Sequence, residues 1–293
     1  MSNTPFASLS GGIPNNAQDF AASIIFTVAF AVLIPICIFR LVVKETRTRI
    51  LIRPLIFCLT QAVAYGMRAA IANGSTSTGI YEASEILLLA GFSAICEPIP
   101  ALLTRVAGKY SKGASQHAEN RLQQRVLLLC RLAITVALIL GIVASTDISA
   151  NESQSTMNSI KQYRIANAAL IIGAISTSAI IAVNLISARL LQIRAVVVLV
   201  IQCALLIITA AYKLGSTLDR PANFSRSGKI VFYILTGAVE WLATLIFFAV
   251  NINQFFPPRI TRASETSIAH EQNDKTIAVS LPGTRDEPSK EYV

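Results

Sequence analysis

Residues 20–43 read FAASIIFTVAFAVLIPICIFRLVV, and residues 44–49, KETRTR, follow at once. The first stretch carries a single ionisable side chain, Arg40. As a helix rising about 1.5 Å per residue it is longer than the roughly 30 Å of a bilayer's hydrocarbon core. A basic cluster directly after an apolar run marks a cytoplasmic flank. The polar start, Met1 to Asp19, has no basic segment before the apolar run, so the run is expected to be a retained first span, not a cleaved signal.

Outward from that stretch the pattern recurs. Apolar runs of membrane-spanning length are expected at Phe20–Val43, Ile50–Ala72, Ile80–Ala107, Val126–Ser145, Ile165–Leu191, Ile193–Ser216 and Ile230–Phe256. The expected fold is all-α: an integral membrane bundle of seven transmembrane helices, N-terminus outside and C-terminus cytoplasmic. Residues 1–19 form an outer or lumenal tail, 20–257 the transmembrane domain, and 258–293 a polar tail after Pro257-Pro258 that buries too little to fold alone. With 53% hydrophobic and 14% charged residues the chain lies far from the soluble norm of about a quarter charged.

Loop charge sets the orientation. Arg40, Lys44, Arg47, Arg49 and Arg53 flank the first loop, Arg105, Lys109, Lys112, Arg121 and Arg125 the third, and Arg189 and Arg194 the fifth. These are expected inside. The sixth loop dissents, with Lys213, Arg220, Arg226 and Lys229 against Asp219, but parity places it outside. Glycosylation triplets at Asn73, Asn151 and Asn223 fall in the three outer loops. The net charge of +9 is spread over short inter-span segments, which reads as topology and not as a nucleic-acid face.

Ionisable groups inside a span either pair or line a cavity. Glu97 and Arg131 each lie ~10 Å inside the inner boundary at ~1.5 Å per residue, on helices joined by a hairpin, and are expected to pair. Pro98 and Pro100 remove backbone donors beside Glu97 and are expected to kink the third helix. At the outer end, one of Glu82 and Glu85 is expected to pair with Arg68. Glu240, mid-span in the seventh helix beside Trp241, has no basic residue of matching depth on an adjoining helix. It faces a cavity or, as a protonated acid, meets a neighbour such as Gln202 or Asn184. Trp241, Phe232 and Tyr233 read as packing or lipid-facing residues. The five cysteines all fall in apolar runs and read as buried thiols.

Several chemistries lack their residues. The two histidines, His117 and His270, sit in polar segments, so an intramembrane zinc hydrolase has no ligands. Lys229 stands at a span boundary, too shallow for a retinal Schiff base. No nucleotide or nucleophile motif is present. The expectation is a non-enzymatic protein with no cofactor and no metal.

Two stretches carry a family likeness: Gln61-Ala62-Val63-Ala64-Tyr65-Gly66-Met67-Arg68, and the Ser/Thr-Gly loop entering Tyr81-Glu82-Ala83-Ser84-Glu85-Ile86-Leu87-Leu88-Leu89-Ala90. With the acid of Gly237-Ala238-Val239-Glu240-Trp241, they resemble the fungal lipid-translocating exporter family, named for resistance to aminocholesterol, and related fungal heptahelical families. The chain departs from the exporters at Gln61, where they tend to have an acid, in the order Tyr65-Gly66, and at Phe247-Phe248-Ala249-Val250-Asn251. These departures favour a sister family. The resemblance implies a plasma-membrane or endomembrane protein concerned with lipids or amphiphiles, with Arg68, Glu97, Arg131 and Glu240 lining or bracing an intrabundle cavity and membrane lipids as partners. The alternative is a heptahelical receptor whose basic loops and tail engage cytoplasmic proteins.

Overall fold

The structure, a computed structural model, describes residues 10–43, 47–107, 116–146, 154–187, 193–218 and 225–256. The tail 258–293 and the triplets at Asn151 and Asn223 lie outside the described residues. Seven helices are long and apolar enough to cross a membrane. They are α1 (Asn16–Val42), α2 (Arg49–Ala72), α3 (Thr78–Ala107), α4 (Gln116–Thr146), α5 (Gln154–Ser187), α6 (Ile193–Leu218) and α7 (Arg226–Ala249). A single turn, α8 (Ile252–Phe255), follows.

Consecutive helices pack side by side, and α7 returns to α1 and α2, closing the bundle. The helix α3 is its axis, the most buried of the seven, whereas α1 is the most exposed. The polarity is inside out. Ile25, Val28, Val32 and Phe39 of α1 and Leu128, Leu129 and Leu132 of α4 face outward, while Asp19, Arg68, Glu85 and Glu240 are buried. Only an apolar surround makes that distribution favourable, since every buried charge must find its partner within the bundle. The chain is therefore a multi-pass membrane protein.

The kink in α3 falls at Glu97, where the helix breaks between Cys96 and Pro98. Pro98 and Pro100 cannot donate to the carbonyls of Ala94 and Cys96, which relaxes the ladder there. A second irregularity lies in α7, where Tyr233–Ala238 winds as a π-helix. One extra residue in a turn shifts the side chains that follow. Gly237 lies in this turn because a Cβ there would come within 2.8 Å of the Phe26 ring. The five cysteines are free and buried. Phe26, Phe30, Phe57, Tyr65 and Tyr233 form an aromatic layer joining α1, α2 and α7, with ring centroids 5.4–6.2 Å apart.

Three expected boundaries move most, and the first is the start of the fourth helix, at Gln116, ten residues before Val126. The fifth helix begins at Gln154, eleven residues before Ile165, so Arg164 belongs to a helix and not to a loop. The seventh ends at Ala249, with Phe255 and Phe256 beyond a break.

Candidate functional site: three buried charge clusters

At the end of the bundle that carries the N-terminal segment, Asp19 closes the first turn of α1 and is completely buried. It pairs with Lys229 at the start of α7, lies 3.9 Å from an Arg68 nitrogen, and accepts from the Tyr233 hydroxyl at 3.1 Å. Ser23 Oγ meets the same hydroxyl at 2.8 Å. Arg68 donates to the carbonyls of Ser10 and Gly12 and lies 4.6 Å above the Phe232 ring, a cation–π contact. Glu85 accepts from the Ser10 amide and hydroxyl, each at 2.8 Å, and from Arg164 at 3.1 Å. Lys229 also donates to the Ile13 carbonyl.

These contacts lodge residues 10–15 in the mouth of the bundle. Gly11 and Gly12 make it feasible: both have positive φ, and a Cβ on Gly11 would overlap the Phe232 ring at 2.6 Å. The expected pairing of Arg68 with Glu82 or Glu85 is thus corrected. Glu85 takes Arg164, Arg68 takes Asp19 and two carbonyls, and Glu82 stands half-buried, one turn nearer the helix start. The reason is geometric, because Arg164 approaches on the extra turns of α5.

Midway down the bundle Glu240 is fully buried but has a base after all. Lys213 of α6 lies 3.0 Å from Oε1, and Gln61 of α2 donates to Oε2 at 3.1 Å. The Lys213 ammonium also sits 4.0 Å over the Phe92 ring. The expected neighbours go elsewhere: Gln202 donates to the Ala243 carbonyl, and Asn184 is exposed. Trp241 donates to the Ala29 carbonyl, while Phe232 and Tyr233 are core packing residues. Gly91 leaves room for this arrangement, since a Cβ there would meet Thr60 Oγ1 at 2.7 Å and the Gln61 amide at 3.2 Å.

Toward the other end, at the α3 kink, Arg131 donates twice to Glu97, at 2.9 and 2.7 Å, and Arg53 approaches it to 3.8 Å. Both guanidiniums are about half exposed, at 49% and 41%. Arg68, Glu97, Arg131 and Glu240 therefore do not line one cavity. They belong to three clusters at three depths. Asp19, Lys213, Lys229 and Arg164 complete those clusters, and sequence reading had assigned them to tails and loops. Among the described residues no three His, Cys, Asp or Glu side chains gather as a metal site.

Within the bundle, Ser10, Leu88, Arg164, Asn167, Tyr212, Lys213 and Thr236 are among the residues enclosing a cavity of about 20 Å³. That is space for one water molecule or an ion of similar size. On the flank, a groove of about 640 Å³ opens between α4 and α5, lined by Val126, Leu129, Cys130, Ala133, Ala166, Ala169, Leu170, Gly173, Ala174 and Thr177.

Residues 20–253, which include almost all of the seven spans, match a family described as a domain of unknown function, DUF7702. The chain belongs to the DUF7702 family. The matched region begins one residue after Asp19 and ends inside α8, so most of α1 and all of α2 to α7 carry the family likeness while the N-terminal segment in the bundle mouth precedes it. No curated protein and no solved structure matches the chain.

Proposed function

We propose that this is a non-enzymatic handler of membrane lipids or other amphiphiles, residing in the plasma membrane or the endomembranes of the secretory pathway. The observation that carries the reading is the groove between α4 and α5. It is shallow and open, its lining is almost wholly apolar, and it faces the acyl chains that surround the bundle. The central cavity is too small for an alkyl chain, so the amphiphile lies on the flank of the bundle. The resemblance to fungal lipid-translocating exporters points the same way.

The test is flux of fluorescent phospholipid and long-chain base in proteoliposomes, comparing the wild-type protein with Gly173→Leu. A Cβ at Gly173 meets nothing within 4 Å, so leucine fills the groove without a clash. Flux is expected with the wild-type protein and several-fold less with the variant. Unchanged flux in the variant would remove the groove from the mechanism. No flux with either protein would favour a heptahelical receptor, a reading supported by the N-terminal segment held in the bundle mouth by hydrogen bonds to buried charged side chains.

The orientation proposed is N-terminus outside and C-terminus in the cytoplasm. Two observations support it. Arg40, Arg49, Arg105, Arg121 and Arg194 lie at or near helix ends opposite the N-terminal segment, with Arg47 in the link between α1 and α2. Two of the four bases that made the sixth loop dissent, Lys213 and Lys229, are neutralised inside the bundle by Glu240 and Asp19. Asn73, exposed at the C-terminus of α2, is then lumenal. Loss of a glycosidase-sensitive mobility shift on Asn73→Gln, in a background lacking the other two acceptors, is the expected result. A shift that never appears while a tag on the N-terminus reacts with cytosolic reagents would reverse the orientation.

A further inference from the structure

In the mouth and mid-bundle clusters buried bases outnumber buried acids; the other buried acid, Glu97, belongs to the separate cluster at the α3 kink, where Arg131 and Arg53 answer it. Among the described residues, Arg68, Arg164, Lys213 and Lys229 are buried or nearly so, with side chains no more than 13% exposed, against the fully buried Asp19, Glu85 and Glu240. Glu82 and Lys161, nearer the starts of their helices, are half-buried and of opposite sign, so they leave the balance unchanged. An uncompensated cation within a membrane-spanning bundle carries a large desolvation penalty. Sequences that keep one usually supply a counter-charge.

The cavity beside these bases has the means to hold it. Arg164 and Lys213 reach it from α5 and α6, and Asn167, Tyr212 and Thr236 complete a polar wall. Three of these groups are unspent. The Arg164 Nε, the Tyr212 hydroxyl and the Thr236 hydroxyl are buried and make no hydrogen bond among the described residues. Arg164 and Thr236 are more than nine-tenths buried. Each can donate to an anion, and buried donors left unmade are costly. Ser216 and Thr217 also line it, the apolar Leu88, Leu89 and Phe232 complete the wall, and the space admits one atom-sized guest.

We propose that this cavity is a binding site for one small monovalent anion of the halide class, held by Arg164, Lys213, Tyr212 and Thr236 and enclosed on the mouth side by Ser10. The anion restores the charge balance and supplies the missing acceptor. The inference does not depend on the lipid reading.

The test uses the full-length protein in nanodiscs at constant ionic strength, exchanging gluconate for chloride or bromide. Thermal unfolding is followed together with line broadening of the chloride nuclear resonance. A saturable rise in Tm with chloride and bromide but not gluconate is expected, with a matching saturable broadening. Tyr212→Phe and Thr236→Val conserve volume and leave every ion pair in place, and each is expected to weaken the halide dependence about tenfold, the loss of one hydrogen bond to a charged group. A Tm indifferent to the anion, a response that never saturates, or variants that respond as the wild type does would overturn the proposal and leave a water molecule in the cavity. Flux measured alongside separates this result from failure of the lipid reading.

Discussion

Lys213→Met is expected to destabilise the bundle by about 3–5 kcal/mol, the cost of leaving a buried carboxylate without its base. Glu240 is completely enclosed, and after the substitution the Gln61 amide is the one remaining donor placed on it among the described residues. Glu240→Gln is expected to do similar damage from the other side, stranding an ammonium whose remaining contacts are the Phe92 ring and the Leu88 carbonyl at 3.4 Å. The double variant, Lys213→Met with Glu240→Gln, removes both charges, and its amide can still meet Gln61. It should recover most of the loss, giving a coupling of about 2 kcal/mol or more in a double-mutant cycle. Equilibrium unfolding of the purified protein in mixed micelles measures all four states. Additive losses would mean that the two side chains do not share one environment, and the mid-bundle cluster would have to be redrawn.

That pair also shows where sequence reading reaches its limit. Span number and approximate position follow from hydropathy because lipid demands runs of about 20 apolar residues regardless of tertiary detail. The kink at Glu97 is equally local, written in Pro98 and Pro100, and the Glu97–Arg131 contact follows from depth and hairpin adjacency. What a linear profile cannot see is which face of a helix a charge occupies. Lys213 and Lys229 read as loop residues because each lies near the end of an apolar run, yet both turn inward to an acid. Arg164 was assigned to a loop because the first turns of α5, Gln154 to Arg164, are polar. Those turns are helical because they continue the ladder of a buried helix, with Arg164 and Asn167 on its inner face.

Asp19 carried a readable signal. It is the only acid in the first forty-four residues and stands at the start of the first apolar run. Its partner was legible only by reversing the argument about the sixth loop: an excess of lysine on the wrong side of the membrane calls for an acid at the same depth. The groove between α4 and α5 had no comparable sign, since small residues such as Ala133, Ala166, Ala169 and Gly173 read as marks of close helix packing.

Asp19→Asn is expected to be the most damaging single change at the mouth of the bundle. The aspartate answers two bases at once, pairing with Lys229 and standing 3.9 Å from Arg68, while also accepting from Tyr233 and from the Asn15 amide at 2.9 Å. Asparagine preserves size and can keep one of those acceptor contacts, so the loss isolates the charge. Breaking a buried pair costs about 3–5 kcal/mol, and here the stranded charge adds to an existing excess of buried bases. The damage should also be directional. Arg68 and Lys229 fix Ser10, Gly12 and Ile13 through their carbonyls, so residues 10–15 should lose amide-exchange protection before the helices do. Adding Lys229→Met to Asp19→Asn removes the base left unpaired and should return part of the stability. It should not restore protection of the segment, because the contact to the Ile13 carbonyl is gone. If Asp19→Asn left exchange at residues 10–15 unchanged, the N-terminal segment would be held by its glycine-shaped fit against Phe232 and by Glu85 alone, and the charge at Asp19 would have no part in closing the bundle.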